Sequence, residues 1–226
     1  MSDRTVSRVA LSVDVVGLAI RDDTLKVLLI QRDQEPFAGS WALPGGVVGP
    51  EETLDDAARR VLVERTGVQD SYLEQLYTWG DPERDPRGRT IAVSYYTLLP
   101  LDASEARSGS GVRATEWFEV AALPELAFDH ARIVEYATRR LREKIEYTPL
   151  AFHVLPERFT MSELRHLYEV INRETYPASN FEKMMRARWN LLRMDEVDDS
   201  RRGRPARKYR YVGPRRIAGP PESEVP

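Results

Sequence analysis

The segment from Trp41 to Val68, WALPGGVVGPEETLDDAARRVLVERTGV, constrains the fold more than any other part of the chain. Pro36, Gly39, Pro44, Gly45 and Gly46 interrupt regular structure and predict a tight loop. After Thr53, the residues Leu54, Ala57, Ala58, Val61 and Leu62 recur at helical spacing. Thr53 with Asp56 three residues on forms a capping arrangement, and Gly67 supplies a C-terminal stop. Ala10 to Ile20 and Leu25 to Gln31 are rich in Val, Leu and Ile and predict two strands around an Asp22-Asp23 turn. Leu73–Trp79, Thr90–Leu99 and Val112–Val120 predict three more, separated by the loops Gly80–Arg89 and Ala103–Gly111. A second helix is expected from Asp129 to Ile145, with Ile133, Tyr136 and Leu141 on its buried side. Strands mixed with two helices give an α/β (α+β) class, a sheet sandwiched between helices.

Near Thr148-Pro149 the pattern changes, and 226 residues suit two domains, 1–148 and 149–226. Leu164, Leu167, Tyr168 and Ile171 predict a short amphipathic helix opened by Thr160-Met161-Ser162-Glu163. Tyr176-Pro177-Ala178-Ser179 is a turn, and a second helix begins at about Asn180 and carries Phe181, Met184 and Met185. Leu191–Met194 and Tyr209–Val212 predict two short strands around a basic loop. Two helices plus such a hairpin are the parts of a winged helix-turn-helix. The tail from about 213 is rich in Pro, Gly and Glu and is expected to be disordered.

Charge separates the halves. The net charge is −3, but residues 1–149 hold 18 Lys and Arg against 25 Asp and Glu, and residues 150–226 hold 15 against 11. Arg201 to Arg216 contains eight basic residues and no acidic one. The asymmetry points to a polyanion partner for the second half. With no cysteine, disulfides and cysteine-ligated zinc are excluded. No apolar run approaches the ~18 residues of a membrane span, and MSDRTVSRVA lacks the layout of a secretory signal. A cytoplasmic protein without a membrane partner is expected.

Gly46, Glu52, Arg60, Leu62, Glu64, Gly67 and Val68 fall at the fixed positions of G-x5-E-x7-R-E-U-x-E-E-x-G-U, where U is aliphatic, and the segment resembles the Nudix box. That family hydrolyses nucleoside diphosphates linked to another group, with a divalent metal held by carboxylates. Positions 61, 64 and 65, three and four apart, share a helix face toward the metal. Here they are Val61, Glu64 and Arg65. Two of three carboxylates are missing and one is replaced by a cation, so the expectation is no catalytic residue, no metal and no cofactor. Arg60 and Glu64 can pair with each other. Arginine binds phosphate through a bidentate fork, so the site remains suited to a diphosphate. The candidate ligand-binding residues are Arg32, Phe37, Trp41, Arg60, Glu64, Arg65, Arg84, Asp85, Arg89 and Tyr95; the loop DPERDPRGR and the strand after it resemble those of ADP-ribose-recognising Nudix proteins.

In a winged helix the second helix enters the major groove and the wing grips backbone or minor groove. The candidate DNA-binding residues are Thr160 and Ser162 on the first helix and Ser179, Asn180, Lys183 and Arg186 on the second, with Asn180, Lys183 and Arg186 spaced along one exposed side. On the wing they are Arg201, Arg202, Arg204, Arg207 and Lys208, where dense charge meets Gly203 and Pro205.

From about Ser12 to Val212, including AFDHARIVEYATRRLREKIEYTPLAF and FTMSELRHLYEVI, the chain resembles the NrtR family of bacterial regulators of NAD metabolism. The resemblance implies a homodimeric repressor of NAD synthesis or salvage genes on a palindromic double-stranded operator. It implies ADP-ribose, or a related NAD-derived nucleotide, as effector. Two alternatives stand beside it. One is an active Nudix hydrolase in which Glu51 or Glu52 has taken over metal binding; the other is a regulator of the same architecture that senses a sugar.

Overall fold

The computed structural model describes residues 9–69, 73–99, 106–198 and 206–214. Arg201, Arg202 and Arg204 of the expected wing, and the tail beyond 214, lie outside the described residues. The chain divides into two compact units, Met1–Glu143 and Lys144–Pro226.

The first unit is built on a seven-stranded mixed sheet. Its central strand, β1 (Ala10–Arg21), pairs in parallel with β6 (Thr90–Leu98) and antiparallel with β2 (Thr24–Arg32). Val13, Val15, Val16 and Leu18 of β1 are all fully buried, so both faces of the strand are covered. Asp22 and Asp23 turn the β1–β2 hairpin with φ of 51° and 58°, a left-handed pair that short polar side chains tolerate. β5 (Glu74–Trp79) pairs with β6, and β7 (Val112–Glu119) with β2. The glycine- and proline-rich stretch expected to be all loop contains two short strands, β3 (Trp41–Ala42) and β4 (Gly45–Val47). The reason is register. β2 pairs with β1 only from Leu18 to Arg21, so Ser12–Asp14 takes Val47–Gly45 as its partner.

Helix α1 (Leu54–Thr66) is capped as its sequence predicts. Thr53 Oγ1 accepts from the Asp56 amide at 3.2 Å, and Gly67 closes the helix at φ 71°. Ala57, Ala58, Val61 and Leu62 pack against Val13, Val15, Leu28, Val93 and Tyr95. Helix α2 (His130–Tyr147) buries Ile133, Val134, Ala137 and Leu141 completely. Tyr136, expected among them, is only half-buried, and its ring lies 5.2 Å from that of Tyr77. The division between the units falls inside α2, between Glu143 and Lys144.

The second unit contains α3 (Leu150–Val154), β8 (Phe159–Thr160), α4 (Met161–Asn172), α5 (Ala178–Arg188), β9 (Trp189–Asp198) and β10 (Ala206–Pro214), with sheet order β8-β10-β9. This is the winged-helix arrangement. The hairpin strands are longer than expected, and α3 and β8 are too short to leave a periodic trace. Phe159, Leu164, Leu167, Tyr168, Ile171, Phe181 and Met185 are buried together in this unit. α4 starts with a reciprocal capping box: Thr160 Oγ1 accepts from the Glu163 amide at 3.2 Å, and Glu163 Oε2 accepts from the Thr160 amide at 2.7 Å. Among the described residues, no helix is long and apolar enough to cross a membrane. Loss of the cap in Thr160→Ala is expected to destabilise the second unit by about 1 kcal/mol in urea unfolding, with the first unit's transition unmoved.

Candidate ligand cleft and nucleic-acid surface

The first unit has a cleft of about 190 Å³. Ser12 and Asp14 of β1, Ile30 and Arg32 of β2, Gly45–Val47, Arg65 of α1, the loop residues Arg84, Asp85 and Arg87, and Phe128 and His130 at the start of α2 line it. Asp14 is 5% exposed between the buried Val13 and Val15 of β1, so its charge needs a partner. Arg84, itself 8% exposed, supplies it: Nη2 lies 3.3 Å from Asp14 Oδ2 and 2.7 Å from Asp129 Oδ1, and Nε donates to Asp129 Oδ2 at 3.1 Å. Burial works against the Arg84 charge, but Asp129 and Asp14 outweigh it and raise its pKa. Gly45 makes room for this arrangement. An added Cβ would collide with Asp14 Oδ1 and lie 3.2 Å from the Val13 carbonyl oxygen.

His130 closes the inner wall. Its Nδ1 accepts from the Leu43 amide at 2.9 Å, which puts the neutral ring's proton on Nε2, 3.7 Å from Asp14 Oδ1. Burial pushes the His130 pKa below its ordinary value, ahead of the opposing Asp14 and Asp129 charges.

Arginines dominate the rim. Arg32 donates to the Pro36 carbonyl at 2.8 Å and to that of Gln34 at 3.3 Å, with its guanidinium 4.9 Å from the Phe128 ring centroid. Burial, and then the nearby Arg87 charge, depress its pKa. Arg87 pairs with Asp85 at 2.7 Å. Arg65 donates from Nη1 to the Ser110 carbonyl, while its Nε–H is buried without an acceptor. Among the described residues, neither Arg32 nor Arg65 forms an ion pair with a carboxylate. Such a rim suits phosphate oxygens.

The donor set does not fit a divalent cation. Val61 is fully buried in the apolar core, against Gly46. Arg60 clamps Glu52 with two bonds, Nε to Oε1 at 2.5 Å and Nη2 to Oε2 at 2.9 Å; with the Gly49 amide, these hold the Glu52 pKa down to about 2. The same guanidinium donates to Glu64 at 3.2 Å and to the Val47 carbonyl at 3.1 Å. Glu52 is therefore committed to fixing the loop to the helix, and Glu64 pairs with Arg60 along the same helix. Among the described residues, no three His, Asp or Glu side chains converge as a metal site.

Of the residues predicted to bind ligand, Arg32, Arg65, Arg84 and Asp85 line the cleft. Phe37 stands beside it with its ring 4.8 Å from Phe128. The others are engaged elsewhere. Trp41 packs edge-on against Phe118 at 4.7 Å, Arg60 and Glu64 pair, and Arg89 donates to the Gly80 carbonyl at 2.6 Å. Tyr95 is 1% exposed and donates its hydroxyl to Asp55 at 2.6 Å, since alternation along β6 turns it toward α1. Asp14, Phe128, Asp129 and His130 escaped the sequence reading. A lone Asp amid Val residues was the available signal for the first.

In the second unit, α5 exposes Ser179, Asn180, Lys183 and Arg186 while burying Phe181 and Met185. Ser162 shares a concavity with Arg186, Arg193, Arg207 and Tyr209. Arg193 went unnamed in the sequence because it lies in a run, Leu-Leu-Arg-Met, that reads only as strand. Thr160 is buried, and its hydroxyl is committed to the cap of α4. Lys208 pairs with Glu196 at 3.2 Å.

The His130 shift fixes a pH dependence. The unfolded ring takes up a proton near pH 6.5 and the folded ring resists it, so stability present above about pH 6.5 is lost as pH falls toward the folded pKa. The first unit should melt at a lower temperature at pH 5 than at pH 7. His130→Gln, whose side-chain oxygen can still accept from Leu43, should flatten that difference; an already flat profile for the unaltered chain would contradict it.

The NUDIX domain family matches residues 11–137, and the NrtR DNA-binding winged helix domain matches residues 151–211. The ADPR responsive transcriptional repressor NtrR of Acinetobacter baylyi is 35% identical over 208 residues, 89% of this chain and 82% of that protein. The crystal structure of Shewanella oneidensis NrtR complexed with a 27mer DNA superposes with a TM-score of 0.76 at 35% identity, covering 89% of this chain and 93% of that one. The NUDIX domain of the same protein, crystallised with ADP ribose, superposes with a TM-score of 0.56 at 36% identity over 62% of this chain and 94% of that one. The chain belongs to the NrtR family of transcriptional regulators, in which a NUDIX domain is joined to a DNA-binding winged helix.

Proposed function

We propose that this protein is a cytoplasmic, homodimeric repressor of NAD synthesis or salvage genes. Its NUDIX domain binds ADP-ribose without hydrolysing it. The observation that carries the reading is the exchange of charge in the cleft: Val61 lies in the core, and Arg65 brings a guanidinium with a buried, acceptorless Nε–H to the lining. A diphosphate offers anionic oxygens to Arg65 and Arg32, whose partners among the described residues are neutral carbonyls, and arginine meets them in a fork without a bridging metal. Relatives support the nucleotide, since the Acinetobacter protein is ADPR responsive and the Shewanella NUDIX domain was crystallised with ADP ribose.

The control is a two-state equilibrium. ADP-ribose favours a state in which the two recognition helices of the dimer no longer match their half-sites, and this requires tighter nucleotide binding to that state than to the DNA-bound one. By linkage, operator DNA weakens ADP-ribose binding by the same factor.

Gel shifts on the protein's own upstream region, with and without ADP-ribose, test the proposal. Millimolar ADP-ribose should release the duplex, whereas an equal concentration of a neutral sugar should not. A complex indifferent to ADP-ribose but released by a sugar would replace the effector while keeping the architecture. Lys183→Ala on exposed α5 should weaken operator binding about tenfold, in line with one lost contact. Its ADP-ribose affinity, measured by calorimetry, should stay unchanged.

A further inference from the structure

Helix α5 carries one acidic residue, Glu182, on a surface otherwise populated by Ser179, Lys183 and Arg186. Two concavities flank the helix, and Glu182 and Arg186 line both. In the second of them the other charged groups are Arg193 and Arg207. A carboxylate in such a place is costly for a protein that meets phosphate, because it repels the backbone its neighbours attract. Its geometry is fixed nonetheless. Glu182 Oε1 accepts from the Tyr209 hydroxyl at 3.1 Å, across from α5 to β10, and from Arg186 Nη1 at 3.5 Å. Oε2 has no protein donor among the described hydrogen bonds.

We infer that Glu182 is a base-reading, specificity-determining residue: its Oε2 accepts a hydrogen bond from the exocyclic amino group of a cytosine in the major groove. Three considerations converge on this. The residue is the fifth of α5, within the N-terminal part of a recognition helix that meets base edges. The amino donors in the major groove belong to cytosine and adenine, and an acceptor-only carboxylate pairs with the cytosine N4 group, whereas adenine is read bidentately by amides. Finally, Tyr209 holds one oxygen in place and leaves the other available, so the carboxylate is oriented before DNA arrives. Arg186 and Arg193 lie beside it to take the phosphates. Tyr209 is thus a positioning residue for Glu182.

The inference rests on α5 being the recognition helix of the proposed regulator. The test is selection of bound duplexes from a randomised pool by the full-length protein and by Glu182→Gln, followed by competition binding with single-base variants of the enriched site. The unaltered protein should enrich a C·G pair at one position of each half-site and discriminate against its replacement about tenfold. Glu182→Gln should lose that preference or shift it toward adenine, with the remaining positions and the melting temperature unchanged. Tyr209→Phe should weaken the same preference without creating a new one. An unchanged enriched sequence for Glu182→Gln, or uniformly tighter binding to every duplex, would overturn the inference. Failure of the unaltered protein to enrich any sequence would instead count against DNA recognition as a whole.

Discussion

Arg84 is buried between Asp14 on β1 and Asp129 at the start of α2, and three distant stretches of chain meet on that guanidinium. A charge in this position is tolerable only with both carboxylates present, since breaking a buried pair typically costs about 3–5 kcal/mol. Much else follows from it. Asp14 can occupy a buried position among the valines of β1 because Arg84 answers it, and Gly45 leaves space for its oxygen. Asp129 draws in the start of α2, which brings His130 to the Leu43 amide and Phe128 to the guanidinium of Arg32. The cleft is therefore shaped by a polar network, and a ligand meets a wall already in place.

The NUDIX segment separates the residues that keep its shape from those that would supply its chemistry. Arg60, Glu52 and the Gly49 amide tie the loop to α1 and survive intact. The positions that would add metal donors hold Val61, which packs in the core, and Arg65. A loop can thus remain well formed after its donors are gone, and function follows the site rather than the fold. Helix α2 begins at the cleft and continues past Glu143 into the second unit. There its last turn is held by Tyr168, whose hydroxyl donates to the Ile145 carbonyl at 2.8 Å, and by Asn172 and Arg188 on Glu146.

Local signals in the sequence proved easiest to read. The Thr53 cap, the Gly67 stop, the α1 apolar stripe and the Thr160 opening of α4 depend on neighbours a few residues away, and all appear. The Arg60–Glu64 pair was visible from its spacing, but Glu52, eight residues back in a loop, takes the stronger bonds. Short strand β4 was hidden because it fills a stretch of β1 that the β2 register leaves open, and β3 because its two residues pair with Ile30 and Gln31 of β2, beyond the part of β2 that pairs with β1. Asp14 and His130 were hidden for a related reason. Each sits in a segment whose pattern says strand or helix, and only tertiary structure brings them to Arg84 and Leu43. Tyr95 misled in the other direction, since strand alternation decides which of two adjacent tyrosines faces α1.

We propose that Arg65, in a cleft without a set of converging metal donors among the described residues, lets this NUDIX domain bind a nucleotide without a divalent metal. Calorimetric titration of the full chain with ADP-ribose, in EDTA and then in Mg²⁺, with the recovered nucleotide analysed by chromatography, tests it most directly. The account predicts equal affinity under both conditions and ADP-ribose recovered intact. Release of AMP that depends on Mg²⁺, or binding abolished by EDTA, would contradict it.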